Sequence, residues 1–222
     1  RDEIEYVFDQ AFEANNLPYE KISSLDEKFK KLKSLDRTVQ GRVYDLLPFV
    51  DCIAQVSATQ LVLDIAKGYF QTPTLLIDKR RVRIDDDTNE RSLPIHQEGN
   101  MISKNNLTLW MPLSDVEENT GAIKVIPGSH KKGYLRHKFY KDGSYNGIVE
   151  EDLDIENIQT LPIKAGHALF FLGTLNHGSG PNLSPRVRWT FIMRFNAVKG
   201  VSYLREEFPD LRIPYQADMS KI

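Results

Sequence analysis

Apolar positions change their spacing once along the chain. Up to about residue 72 they recur at helical intervals: Ile4, Phe8 and Phe12, then Leu25, Phe29 and Leu32, then Val43, Leu46, Leu47, Val50, Ile53 and Ala54. Steps of three and four residues bring side chains to one face of a helix. Ser24 and Asp26 stand where they can cap the second of these segments. Residues 58–68, with Leu61 and Ile65, predict another short helix closed by Gly68. None of these segments carries a catalytic spacing, so the pattern predicts a structural helical layer packed on a sheet.

From residue 73 the pattern is that of strands, predicted at 74–77, 78–84, 107–113, 122–126, 161–163, 168–172 and 188–195. Alternation in an extended chain sends Lys79, Arg81 and Arg83 to one face and Arg80, Val82 and Ile84 to the other. Residues 85–91 read as a polar loop. The stretch 131–159 is long, charged and weakly periodic, the signature of a lid-like excursion. Many short strands between Gly, Pro and Asn turns favour a barrel-like or jelly-roll double sheet. One domain is expected: helical over 1–72, β-rich over 73–198, with a C-terminal tail at 199–222.

Composition adds limits. A chain of 222 residues suffices for one well-cored domain. Its formal net charge of −2 creates no field that would attract nucleic acid or an anionic membrane, and neither is expected as a partner. No apolar run approaches the roughly 20 residues of a membrane span. A single cysteine, Cys52, forbids an intrachain disulfide, and a cytoplasmic location is the simplest reading. The chain starts at Arg1 in polar, helix-like sequence without a visible signal peptide, which points to a trimmed N-terminus. The oligomeric state is not written in the sequence.

The chemistry gathers at three places. In the run Pro94-Ile95-His96-Gln97-Glu98-Gly99, an extended backbone projects His96 and Glu98 from one face and Gln97 from the other. In Asn176-His177-Gly178-Ser179-Gly180-Pro181-Asn182, a strand end meets a tight turn, where His177 can supply a third ligand. Two histidines and one carboxylate on one face of an octahedral ion leave three positions open, which suits Fe(II) with a co-substrate and dioxygen. Arg188 follows His177 by eleven positions, and a guanidinium there can clamp a dicarboxylate. Each signal alone is weak; their order and spacing together carry the argument.

Over roughly residues 74–196 the chain resembles the phytanoyl-CoA dioxygenase family of Fe(II)/2-oxoglutarate oxygenases. The resemblance rests on Leu93-Pro94-Ile95-His96-Gln97-Glu98, on Leu107-Thr108-Leu109-Trp110-Met111-Pro112-Leu113 and on Asn119-Thr120-Gly121-Ala122. It continues through Val125-Ile126-Pro127-Gly128-Ser129-His130, Ala165-Gly166-His167-Ala168-Leu169-Phe170-Phe171 and the His177 turn. It implies a mainly β fold with α: a double-stranded β-helix (jelly-roll, cupin-like) core with N-terminal helices on its outer sheet. It implies iron on His96, Glu98 and His177, and 2-oxoglutarate on Arg188 and Ser179, with Arg83 as a further polar contact. Trp110 matches a tryptophan on the strand behind the metal. Lys79 and Arg81 fall on a strand that often faces substrate.

The family's usual carboxylate is Asp, and Glu98 is one methylene longer, which predicts looser or bidentate coordination. Related halogenases lack a carboxylate here, so Glu98 favours hydroxylation. The Gly166-His167 pair replaces a common Gly-Asp, and His167 reads as part of a turn. His130 is assigned to a turn, and His137 to a solvent-facing position in the excursion. The implied activity uses Fe(II), 2-oxoglutarate and O2 to hydroxylate a C–H of a small, anionic metabolite. Two rival readings keep the fold: a zinc or manganese isomerase or hydrolase, and a non-catalytic sensing module.

Overall fold

The computed structural model describes residues 2–18, 22, 24–88, 93–98, 106–139 and 146–198. Five helices come first: α1 (Asp2–Ala14), α2 (Leu25–Leu35), α3 (Arg37–Leu46), α4 (Asp51–Ser57) and α5 (Gln60–Phe70). The predicted faces of the first two are the buried ones: Ile4, Phe8 and Phe12 on α1, and Leu25, Phe29 and Leu32 on α2. Ser24 caps α2 by accepting from the Glu27 amide. Asp36 ends α2 and caps α3, its Oδ1 accepting from the amides of Thr38 and Val39 at 2.9 Å each.

Two expectations need correction here. The apolar period over Val43–Ala54 is not one helix, because Pro48 sets a 3₁₀ turn at Leu47–Phe49 and leaves Leu46 exposed. Gly68 does not close α5, which runs on to a left-handed cap at Gln71 with φ 50°. Leu61 and Ile65 are exposed, while Ala66 is buried with Val62 and Leu63 beside it. A small residue faces the sheet because α5 packs directly on a strand.

The strands are β1 (Leu75–Asp85), β2 (Leu93–His96), β3 (Leu107–Pro112), β4 (Ile123–Val125), β5 (His137–Phe139), β6 (Asn146–Ile148), β7 (Gln159–Leu161), β8 (Leu169–Leu172), β9 (His177–Ser179) and β10 (Arg188–Ala197). Eight of them form two antiparallel four-stranded sheets, ordered β1-β10-β3-β8 and β2-β9-β4-β7. This alternation of strands between facing sheets is the double-stranded β-helix expected from the sequence. The excursion at 131–159 is not structureless: β5 and β6 pair as a small antiparallel ladder within it.

Strand alternation divides the molecule into an oily side and a chemical side. On β10, Trp189, Phe191, Met193 and Phe195 join Val82, Leu107 and Leu109 against the helices. The opposite face of β10 carries Arg188, Thr190, Ile192, Arg194 and Asn196 between the sheets. Asp26 on α2 locks the layers together, accepting from Trp189 Nε1 and the Val187 amide at 2.8 Å each. Its role is therefore to anchor the helical layer beside Arg188, and Ser24 does the capping. A second apolar cluster, including Trp110, Val116, Ile123, Val125 and Phe171, fills the space between the sheets. Among the described residues, no single helix is long and apolar enough to cross a membrane.

Candidate active site

β2 and β9 are neighbours, and their register sets His96 opposite His177. The two imidazole rings lie 4.3 Å apart. Glu98 follows the end of β2, where its amide donates to the Gly173 carbonyl at 2.8 Å. Asn106 Nδ2 donates to the Glu98 carbonyl at 2.9 Å, so both backbone polar groups of Glu98 are fixed. Gly173 has no side chain because a Cβ there would run into Asn106. One ligand atom from each of His96, Glu98 and His177 lies within 4.8 Å of the others.

The donor set fits a divalent metal. His96 Nδ1 is 2.9 Å from the Pro94 carbonyl, and His177 Nδ1 is 3.0 Å from the Leu175 carbonyl. Each carbonyl selects the tautomer with hydrogen on Nδ1, which leaves the Nε2 lone pair for a metal. Glu98 Oε1 faces both Nε2 atoms, at 3.8 Å from His96 and 3.5 Å from His177. Burial alone would raise the Glu98 pKa, but the neighbouring His177 and His96 and the charge of Arg194 hold it well below the usual range. Burial, followed by the neighbouring His96, pushes the His177 pKa down against the pull of Glu98. A carboxylate kept ionised beside a neutral imidazole is the ligand state a metal requires.

The remaining Glu98 oxygen is occupied. Arg194 Nη2 donates to Oε2 at 2.5 Å. Glu98 therefore presents one oxygen to the histidines, while Arg194 holds the other. The sequence contained this signal: Arg194 lies six residues from Arg188 on β10, an even number of steps, and so shares its face.

Arg188 is buried beside the same cavity. Its Nη2 donates to Asp85 at 2.7 Å and reaches Ser179 Oγ at 3.4 Å. Arg83 also holds Asp85, with two hydrogen bonds of 2.8 and 3.0 Å, the shorter to the oxygen that Arg188 uses. Burial would raise the Asp85 pKa, yet the two guanidinium groups bring it down. Burial lowers the Arg188 pKa, opposed by Asp85. Among the described residues, Arg188 Nε and Nη1 are buried without a hydrogen-bond partner, as is the hydroxyl of Thr190 next along that face. Buried N–H groups of a cation without partners mark a place for an anionic acceptor. Gly121 makes room for this guanidinium: its φ is +79°, and an added Cβ would stand 2.6 Å from Arg188 Nη1.

These residues enclose a cavity of about 210 Å³ lined by His96, Glu98, His177, Ser179, Arg188 and Arg194, with Arg81, Arg83, Thr108, Trp110, Ile123 and Phe171. Arg81 and Arg83 thus reach the site from the face that alternation gave them, and Trp110 joins them there. The Lys79 side chain lies outside the described residues, and a register shift between Asp78 and Arg81 means that simple alternation does not carry through to it. The residues 199–222 also lie outside. His130 and His167 stand apart from the metal cluster. His137 is half-buried rather than solvent-facing, with Nδ1 at 2.8 Å from the Leu135 carbonyl.

Sequence reasoning assigned no role to Gln97 beyond facing away from the metal. Its buried side chain donates to the Gly133 and Thr174 carbonyls at 2.9 and 2.7 Å, and accepts from the Leu135 amide at 2.9 Å. Gln97 therefore ties the root of the excursion to the strand that carries the ligands. Tyr134 sits in that tied segment, its pKa pushed up to about 12 by burial and the nearby charge of Glu98.

A double-stranded β-helix with two histidines and a carboxylate facing inward is an arrangement that can hold a divalent metal. The phytanoyl-CoA dioxygenase (PhyH) family model matches residues 75–190, and the chain belongs to that family. Enzymes of the family use Fe(II) and 2-oxoglutarate. Similar curated proteins include phytanoyl-CoA dioxygenase 1 of Oryza sativa subsp. japonica, 28% identical over 49% of this chain and 39% of its own length. The peroxisomal phytanoyl-CoA dioxygenase of Bos taurus is 25% identical over 78% of this chain and 49% of its own. The 1-deoxypentalenic acid 11-beta-hydroxylase of Streptomyces arenae is 33% identical over 41% of this chain and 35% of its own. The chain spans half or less of the length of these relatives. Among solved structures, the apo form of the non-haem monooxygenase ThoJ superposes with a TM-score of 0.59 at 21% identity, over 68% of this chain and 56% of that one. EvdO2 from Micromonospora carbonacea var. aurantiaca, complexed with 2-oxoglutarate, gives a TM-score of 0.56 at 18% identity, over 70% and 64%.

Proposed function

We propose that this chain is an Fe(II)- and 2-oxoglutarate-dependent dioxygenase that hydroxylates an unactivated C–H of a small, anionic molecule, with succinate and CO2 as co-products. The observation that carries the reading is the placing of the His96–Glu98–His177 cluster and the unpartnered N–H groups of Arg188 in one cavity. His96 and His177 would hold the iron through Nε2, and Glu98 through Oε1. The bound metal supplies dioxygen activation coupled to oxidative decarboxylation of the co-substrate. Arg188, with Ser179 beside it, would take the far carboxylate of 2-oxoglutarate, and Arg83 would act on Arg188 through Asp85. Trp110, Ile123, Phe171 and Ile192 supply apolar walls that limit water around the reacting atoms.

The substrate reading rests on charge. Arg81, Arg83, Arg188 and Arg194 line the cavity against Glu98 alone, with Asp85 behind Arg188. Among the described residues Arg81 has no carboxylate partner, so it brings positive charge to the cavity before any metal is counted. Arg81, Lys79 and Trp110 are the proposed substrate contacts, and a carboxylate, phosphate or phosphonate on the substrate would use the surplus. Fold alone does not select an acyl-CoA. A cytoplasmic site of action belongs to this reading, in keeping with the single cysteine.

The test is an anaerobic titration with Fe(II) and 2-oxoglutarate, read as the weak visible charge-transfer band of the chelate. The band should appear in the parent chain and vanish in His96→Ala. Its absence from the parent chain, or its survival in the variant, would refute the assignment. Metal-dependent turnover indifferent to 2-oxoglutarate would identify a zinc or manganese isomerase or hydrolase instead.

A further inference from the structure

A second polar cavity, of about 480 Å³, lies between α2, α3 and the edge strand β1. Its walls carry Lys33, Arg37, Gln40, Tyr44, Arg81 and Arg83 facing Asp85 and Asp86. The acids are already engaged: Lys33 donates to both oxygens of Asp86, at 2.7 and 2.6 Å, and Arg83 holds Asp85. Arg37 makes one neutral contact, Nη1 to Gln40 Oε1 at 3.2 Å. Among the described residues neither Arg37 nor Arg81 has a carboxylate partner. Two guanidinium groups from different elements thus open onto one concave site, with no internal counter-charge left for them among the described residues. The cavity lies in the roughly 300–1,000 Å³ range of small-molecule sites.

This cavity is not isolated from the metal site. Arg81 and Arg83 line both. The hydrogen-bonded sequence Arg83–Asp85–Arg188 runs from the cleft to the guanidinium beside the metal. A charge bound near Arg83 would draw on the same Asp85 that orients Arg188.

We propose that the cleft between α2, α3 and β1 is a second anion site, adjoining the metal cavity and sharing Arg81 with it, which takes a phosphate or carboxylate group on Arg37 and Arg81 and communicates with the metal cavity through Arg83, Asp85 and Arg188. The anion belongs either to the acidic end of a larger ligand or to a free anion. Nothing in the site requires the redox reading, since Arg37 touches only the cleft.

The experiment is calorimetric titration of the full, metal-free chain with inorganic phosphate. Saturable binding is expected, weakened about tenfold or more in Arg37→Gln and in Arg81→Gln, the loss of one charge-assisted hydrogen bond. Lys31→Gln, on exposed helix surface outside the cleft, should bind as the parent does. The site is overturned by absence of saturable binding, by unchanged affinity in Arg37→Gln, or by equal weakening in Lys31→Gln. Affinity lost in Arg188→Lys but kept in Arg37→Gln would place phosphate in the metal cavity and overturn it too. Melting curves of each variant establish that it is folded. Glycerol 3-phosphate separates the two sources. Tighter binding than phosphate, with the margin lost in Arg37→Gln, assigns the anion to a larger ligand; equal binding assigns a free anion, and both support the site. Because iron and 2-oxoglutarate are absent, failure of the oxygenase assignment leaves this result standing.

Discussion

Arg194 holds the Glu98 oxygen that faces away from the two histidines, while the other oxygen points at both Nε2 atoms. The longer carboxylate thereby acquires a partner that fixes its rotation, and the metal cluster keeps one oxygen in play. Arg194→Met should release that rotation and weaken metal binding by about 10–100-fold, the usual effect of removing a group that orients a ligand. The check is anaerobic Co(II) titration, where the visible spectrum also reports coordination number. An unchanged affinity and spectrum would show that Arg194 is a bystander.

The same pair predicts a coupling. Glu98→Asp shortens the side chain by one methylene, so the reach to Arg194 is lost even though the family's usual ligand is restored. Arg194→Met should therefore cost much less when combined with Glu98→Asp than it does in the parent. A double-mutant cycle on Co(II) affinity measures this directly. Strict additivity would separate the two residues.

How far this site was legible follows from periodicity. His96, Glu98, His177 and Arg188 were readable because the first two alternate on a short extended run and the others have a fixed offset. Arg81 and Arg83 followed from strand alternation in the same way, whereas Trp110 came from the family resemblance. Arg194 obeys the rule too, but a lone arginine within a strand has no offset to the ligands that distinguishes it from surface charge. Gln97 was invisible as a tether, because its partners are backbone groups of residues 133, 135 and 174. In the helical part, apolar period found the faces of α1 and α2. It failed at Pro48, where missing donor and fixed φ override the period, and at α5, where close packing favours Ala66 over Leu61 and Ile65.

Arg188 combines two jobs that mutation can separate. Arg188→Lys keeps a charge near Asp85 but loses the planar fork, so the KM for 2-oxoglutarate should rise about tenfold or more while metal affinity holds. Gly121→Ala should give the same signature for a steric reason, since its Cβ would meet Arg188 Nη1 at 2.6 Å and the Gly180 carbonyl at 2.7 Å. Its positive φ adds about 1–2 kcal/mol of backbone cost. Loss of metal affinity in step with co-substrate affinity in either variant would contradict this division.

Gln97→Leu should leave three backbone groups without their side-chain partner, at Gly133, Thr174 and Leu135. Each such buried loss costs about 1–3 kcal/mol where water cannot substitute. The expected result is faster amide hydrogen exchange at Leu135, spreading into the β5–β6 ladder, with the β10 amides still protected. Uniform acceleration across β10 would mean that the variant had destabilised the whole fold instead.

Asp86 fixes the far end of β1 to α2 through Lys33, with Thr88 donating to it at 2.9 Å. Burial would raise its pKa, but the hydrogen bonds from Lys33 and Thr88 and the charge of Lys33 lower it. A carboxyl whose folded pKa is depressed contributes stability that is present above its unfolded value, about 4, and lost as pH falls through the lower folded value. Asp86→Asn cannot ionise, so its deficit against the parent should be about 1–3 kcal/mol near neutral pH. That deficit should shrink as the parent's own carboxylate is protonated. Urea unfolding of both proteins at about pH 7 and about pH 3 measures the gap at each end. A gap of the same size at both pH values would mean that Asp86 acts by shape and neutral hydrogen bonding, with no contribution from its charge.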